Sequence, residues 1–530
     1  MIFNKTTVRR DDPGRHLWIP DQGDGTYRNP VIAADYSDPD VIRVGENFYL
    51  TASSFNCTPG LPILHSNDLV NWTIIGHAVK NLPHARYARV QHGCGIWAPS
   101  LRFHNGQFWI FFPMPDEGIY LVTADDPAGP WSEPHLVKQG KGLIDPCPLW
   151  DDDGRAYLAH AYAGSRAGIK HQLRVCPMAP DGSKLLGEGK IVFHEPEKHP
   201  TLEGPKFLKK DGWYYLLAPA GGVTAGWQVA LRAHSIYGPY EDKIVLERGD
   251  TSINGPHQGA LVDTPGGEWW FLHFQDAGIY GRIVHLQPVK WENGWPLMGN
   301  RGEPVSYFKK PMVGRDSAVA VPQTSDDFDS SQLGLQWQWQ ANHQENWASL
   351  TARKGWLRLF CLPLPAGVMN LWSVPSLLLQ KLPAAQCSVT TRLDFSGLVP
   401  GDKAGLIMMG EDYSCLAVER TVNGIRLVKA SCHHASAGNP ELIEAETGCF
   451  GDSIQLQIEV DGAGQCNFSY GQEDQPFTSI GEPFPAAKGH WIGAKVGLFG
   501  LSSTAGKSGG WADFDYLRFA DLPGKNGKRS

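Results

Sequence analysis

Hydrophobic and polar positions alternate along this chain in short runs closed by glycine turns, the pattern of β-strands and hairpins. Five stretches share one grammar: Gly45-Glu46-Asn47-Phe48-Tyr49-Leu50, Gly106-Gln107-Phe108-Trp109-Ile110, Gly154-Arg155-Ala156-Tyr157-Leu158, Gly212-Trp213-Tyr214-Tyr215-Leu216 and Gly267-Glu268-Trp269-Trp270-Phe271. Each reads as a tight turn entering the second strand of a hairpin, with aromatic side chains suited to a pleated surface. The five glycines lie 61, 48, 58 and 55 residues apart, close to the period of one four-stranded propeller blade. Five repeats predict five blades.

The domain boundaries follow from the same pattern. Residues 1–25 form a polar lead-in, and the first strand signal is Asn29-Pro30-Val31-Ile32-Ala33. Outer hairpins are expected around the segment from His65 to Trp72 and before Gly129-Pro130-Trp131 and Gly238-Pro239-Tyr240. The last blade closes near Trp295-Pro296-Leu297-Met298, so the propeller is assigned to 26–302. A stretch without strong periodicity, 303–325, is expected to be a linker. From Asp326 a second set of alternating strands begins, including Trp356-Leu357-Arg358-Leu359, Ser388-Val389-Thr390-Thr391-Arg392-Leu393, Ile425-Arg426-Leu427-Val428, Ile454-Gln455-Leu456-Gln457-Ile458 and Ala512-Asp513-Phe514-Asp515-Tyr516. These predict a β-sandwich of jelly-roll, concanavalin-like type over 326–522, followed by a basic, disordered tail at 523–530.

Composition agrees with an all-β class: 60 Gly and 39 Pro leave little room for long amphipathic helices. At 530 residues the chain is too long for one core. A net charge of −8 gives no support to nucleic acid or an anionic membrane as partner, and no apolar run approaches a membrane span. The first residues lack the apolar core of a signal peptide, so a cytoplasmic location is expected. Ten cysteines stand at irregular spacing with no paired metal-ligand pattern. The 19 Trp, 22 Phe and 16 Tyr are an aromatic excess that suits sugar binding as well as β-structure. Homo-oligomerisation is left open.

Counting back from each blade glycine reaches the innermost strand, which faces the channel. The residues there are Asp38 in SDPD, Trp97 in GIWAPS, Asp145 in LIDPCP, Glu203 in LEGPKF and His257 in GPHQGA. Three carboxylates converging on one axis imply a wet pocket, because an unpaired carboxylate costs several kcal/mol to desolvate. Glycoside hydrolysis uses such a set: one carboxyl protonated to supply the leaving oxygen, one ionised to activate water or attack, and a third that holds the donor's pKa high.

With these motifs the chain resembles glycoside hydrolase family 43 over nearly its whole length: NPVIAADYSDPDVIRVGENFYLTASSF, HSNDLVNW, GIWAPSL, IDPCPLWDDDGRAYL and LEGPKFLKKDGWYYLL, followed by a family-type sandwich. The resemblance implies an inverting mechanism in which Asp38 is the general base, Glu203 the general acid and Asp145 the modulator of the acid's pKa. It implies that Phe55 and Trp97 wall the sugar subsite and that Arg282, in YGRIVHL, binds sugar hydroxyls and the acids. It also places a bound calcium or other small ion near His257, structural in role, with no cofactor required for the chemistry. Two departures, Ile144 and the motif GPHQGALVDTP, lie beside the sugar and are expected to bear on substrate choice. A loop of the sandwich, Ser502 to Gly510, is a candidate to reach the site. The expected activity is exo-hydrolysis of β-D-xylosyl or α-L-arabinofuranosyl units from plant cell-wall oligosaccharides. The alternatives are a non-catalytic sugar-binding propeller with a lectin-like sandwich, a retaining fructan-cleaving hydrolase, and a scaffold propeller.

Overall fold

A computed structural model of the chain describes residues 17–315, 317–449, 451–473, 475–503 and 509–522. The tail from Lys525, most of the lead-in, and residues 504–508 of the candidate loop lie outside the described residues. Five four-stranded antiparallel sheets follow one another at 40–79, 100–139, 143–193, 206–246 and 257–298, each a simple meander in chain order. The repeated glycine sits in the turn between the first and second strands, as at Gly106 and Gly212, where φ is +80° and +78°, a region open to glycine at no steric cost.

Two stretches differ from expectation. Asn29–Ala33 is not a strand; only Ile32 makes a bridge, to Val284. Pro30 lacks a ladder N–H, and the Asn29 side chain donates instead to the carbonyls of Leu286 and Val305. The pairing strand is just before it: Thr26–Arg28 pairs with Tyr307–Lys309. The expected linker is consequently held against the propeller. Lys310 pairs with buried Asp21 and Asp68 at 2.6 and 2.9 Å, and the Gln323 amide bonds both backbone groups of Ile74.

The second domain stacks two eight-stranded sheets, and its five quoted sequence stretches fall on strands, except that Trp356 stands just ahead of strand Leu357–Phe360. Leu357, Val389, Leu416, Ile458 and Phe514 fill the space between the sheets. The sandwich docks on loops of the propeller. Thr58 bridges Trp339, Asn56 Nδ2 donates to the Gln340 carbonyl at 2.7 Å, the Gly493 N–H donates to Asp35 at 2.9 Å, and the Ala494 N–H donates to the Ile279 carbonyl.

Part of the propeller axis is filled by a charged cluster. Asp40 is fully buried; its Oδ2 accepts from the Leu101 N–H and from Arg102 at 2.8 Å, and Oδ1 lies 3.5 Å from Lys206 Nζ. Lys206, also buried, donates to the Pro99 carbonyl and Ser100 Oγ. Truncating one member of a buried ion cluster leaves an uncompensated charge, which costs about 3–5 kcal/mol. Asp40→Ala is therefore expected to lower the urea midpoint of the propeller transition by that equivalent, and a loss below about 1 kcal/mol would contradict a structural role for this cluster.

Candidate active site

The residues expected on the inner strands meet at one cavity, but fewer of them than expected lie within a strand. Asp145 and His257 are in strands Leu143–Trp150 and His257–Asp263. Asp38, Trp97 and Glu203 stand two or three residues ahead of strands Asp40–Val44, Ser100–His104 and Lys206–Lys210. The backbone aims several of these side chains by leaving regular geometry. Asp38, Phe55 and Asp145 have φ of 55°, 51° and 57°. Asp145 lies in a β-bulge between Ile144 and Cys147, the device by which a strand re-aims a side chain. Such conformations cost non-glycine residues about 1–3 kcal/mol each and cluster at functional sites.

Asp38, Phe55, Trp97, Asp145, Glu203, His257 and Arg282 all line a cavity of about 190 Å³, several times the roughly 30 Å³ that one water occupies in the liquid. Ile144 lines it as well, so this departure does face the cavity. Phe55 and Trp97 form one wall, ring centroids 6.3 Å apart.

The three carboxyl groups are held differently. Asp38 Oδ2 accepts from the hydroxyls of Ser37 and Ser53, both at 2.6 Å, and Arg282 Nη1 lies 3.5 Å from Oδ1 while donating to Ser37 Oγ. Asp145 accepts from the Gly204 N–H at 2.8 Å and from Gln258 Nε2 at 3.2 Å, yet burial, joined by the charge of Asp38, pushes its pKa up to about 6. For Glu203, burial comes first, then the charges of Asp145 and Asp38, and together they raise its pKa to about 8. The third of its side chain that remains exposed fits a residue lining the cavity. Glu203 is thus kept protonated near neutral pH in the same cavity as a carboxyl group that accepts from two hydroxyls, an arrangement that acid–base hydrolysis can use.

His257 Nε2 lies 3.4 Å from Glu203 Oε1. Burial lowers its pKa to about 3, with Arg282 adding to the effect, so this is a contact with a neutral ring. Its two ring nitrogens have no hydrogen-bond partner. Among the described residues no three His, Cys, Asp or Glu side chains are grouped to hold a metal ion. Calcium takes six to eight oxygen ligands, and a neutral imidazole beside one carboxyl does not supply that set. The side chains present do not fit a protein-built calcium site, and no step is routed through an ion.

Four contributors were not identified from the sequence. Ser37 and Ser53 clamp Asp38; Ser37 adjoins it in the motif, which was a usable signal. Gln258 was visible only as a motif departure. Trp491 comes from the sandwich and lines the cavity with its ring 6.4 Å from Trp97. Nothing in the local sequence marks it, because its place depends on how the domains dock. Its own φ is 66°, and the next two backbone N–H groups but one, those of Gly493 and Ala494, are fixed to Asp35 and to the Ile279 carbonyl. The sandwich reaches the site through Trp491; residues 504–508 of the stretch expected to do so lie outside the described residues.

A propeller pocket holding three carboxyl groups, one of them kept protonated by burial, beside aromatic walls defines an enzyme that cleaves glycosidic bonds by acid–base catalysis. Sequence comparison agrees: the chain belongs to glycosyl hydrolases family 43, whose sequence model matches residues 27–296, and the β-xylosidase C-terminal concanavalin A-like domain matches 325–520. A protein of Xylanibacter ruminicola is 41% identical over 487 residues, 90% of this chain and 86% of its own. A β-xylosidase of Formosa agariphila is 32% identical over 94% of this chain and 91% of its own. The crystal structure of a xylan β-1,4-xylosidase from Bacillus halodurans superposes with a TM-score of 0.82 at 26% identity, covering 93% of this chain and all of the other.

The pH dependence follows from the two protonation states. With Glu203 as the proposed proton donor, kcat/KM should fall as pH rises through about 8. Glu203→Gln should lower kcat on unactivated glycosides roughly 10²–10⁴-fold and abolish that alkaline limb; a limb unchanged in the variant would contradict the assignment. Trp491→Ala should raise KM roughly tenfold, about 1.4 kcal/mol of lost contact, with little change in melting temperature because the ring is 46% exposed. An unaltered KM would remove the sandwich from the site.

Proposed function

We propose that this enzyme removes single terminal β-D-xylosyl or α-L-arabinofuranosyl units from arabinoxylan-type oligosaccharides, with inversion. The observation that carries this reading is one small cavity holding both Asp38, clamped by two hydroxyls and Arg282, and Glu203, kept protonated by burial beside Asp145. The terminal sugar sits between Phe55, Trp97 and Trp491. Asp38 takes a proton from a water as its oxygen attacks the anomeric carbon; the bond to the leaving oxygen breaks, and Glu203 gives that oxygen its proton. Asp145 remains ionised and opposes early loss of the Glu203 proton. The proton inventory closes on these groups, so no cofactor is needed.

The choice of sugar lies within the family's range: the relatives include a β-xylosidase of Formosa agariphila and a non-reducing-end α-L-arabinofuranosidase of Bacteroides ovatus. Free thiols at Cys57, Cys94 and Cys147, close in sequence to the site residues, suit a reducing compartment, which favours a cytoplasmic enzyme acting on imported oligomers. The test is the initial rate on 4-nitrophenyl β-D-xylopyranoside and 4-nitrophenyl α-L-arabinofuranoside, with Asp38→Asn as control. At least one glycoside should be cleaved, and the rate should fall by at least about 10²-fold in the variant. Absence of activity on both would overturn the substrate assignment.

A further inference from the structure

Gln258 follows His257 in the motif that departs from the family pattern, and the structure gives it an unusual setting. It is the bulged residue of its strand: the register with the neighbouring strand shifts between His257 and Gly259. Its φ is 32°, in the region that favours glycine, yet the position carries a long amide that is 3% exposed and lines the cavity. A strained, buried, non-glycine residue persists only where its surroundings hold it there. What holds Gln258 is the site. Its Nε2 donates to Asp145 Oδ1 at 3.2 Å, while the backbone N–H next to Glu203, that of Gly204, donates to Asp145 Oδ2 at 2.8 Å. The amide is also packed against Gly204, where an added Cβ would lie 2.9 Å from Gln258 Cδ.

We propose that Gln258 is a positioning residue for the general acid: it fixes the carboxylate of Asp145 from the side opposite Gly204, and so fixes the charge that keeps the Glu203 proton available for the leaving oxygen. With one oxygen held by each donor, the Asp145 carboxylate cannot rotate. Remove the amide and one anchor is left, so the distance from Asp145 to Glu203 is no longer set. The charged and titratable groups around the pair are Asp38 and Lys206 near Asp145, and Asp38, Arg282, Lys170 and the neutral His257 near Glu203. None of them donates to Asp145 Oδ1 in place of the amide. The motif departure thus acts on proton delivery as well as on substrate choice.

This inference rests on Glu203 being the acid, and its test separates the two. Gln258→Met keeps the length without the donor; Gln258→Gly also removes the backbone strain. Both would be measured on xylobiose, whose leaving sugar needs a proton, and on 2,4-dinitrophenyl β-D-xylopyranoside, whose leaving group does not, with Glu203→Gln alongside. Both variants should lose roughly 10- to 100-fold in kcat on xylobiose and at least tenfold less on the dinitrophenyl glycoside, and Gln258→Gly should keep the wild-type melting temperature. An equal loss on both substrates, or no loss on either, would overturn the role. Full xylobiose activity in Glu203→Gln would instead overturn the acid assignment beneath it.

Discussion

Ionising a carboxyl group away from bulk water costs several kcal/mol unless charges or hydrogen bonds compensate it, and this chain brings three such groups to one cavity. They cannot all be ionised together. Asp38, with two hydroxyl donors and Arg282 nearby, is the group best supplied to carry charge. Asp145 has two N–H donors, and Glu203 has only a neutral imidazole at 3.4 Å. Of the two carboxyl groups raised by burial, Glu203 is pushed higher, to about 8 against about 6 for Asp145. The roles proposed for the three groups thus rest on burial and on the charges of their neighbours as well as on hydrogen bonds.

That order depends on the whole architecture, since no blade supplies more than part of it. Asp38 precedes the first blade, Asp145 belongs to the third, Glu203 precedes the fourth, and Arg282 comes from the fifth. The sandwich adds Trp491 and ties down the loops bearing Phe55 and Arg282. Asn56 and Thr58 are bonded to the strand around Trp339, and Asp35 accepts both the Arg282 and Gly493 N–H groups. The second domain is a wall and a brace of the site as well as a covalent appendage.

Much of this was legible in the sequence. The glycine turns and aromatic strands are local features, so five blades and the sandwich strands could be read directly, and three acids at similar offsets could be placed on one axis. What escaped reading was non-local or irregular. Asn29–Ala33 alternates like a strand, but Pro30 and the Asn29 side chain spend its hydrogen bonds elsewhere. The bulges at Asp145 and Gln258 are invisible to a period of two, although they decide where those side chains point. Trp491 depends on docking between domains, which no local pattern encodes. Cys57, Cys94 and Cys147 are free thiols, and none lines the cavity.

The central claim is that water, activated by Asp38, displaces the leaving group directly while Glu203 donates a proton. It is tested most directly by ¹H NMR of the first sugar released from 4-nitrophenyl β-D-xylopyranoside, before mutarotation. Direct displacement predicts the α-anomer. Release of the β-anomer would require a covalent glycosyl intermediate and contradict the account.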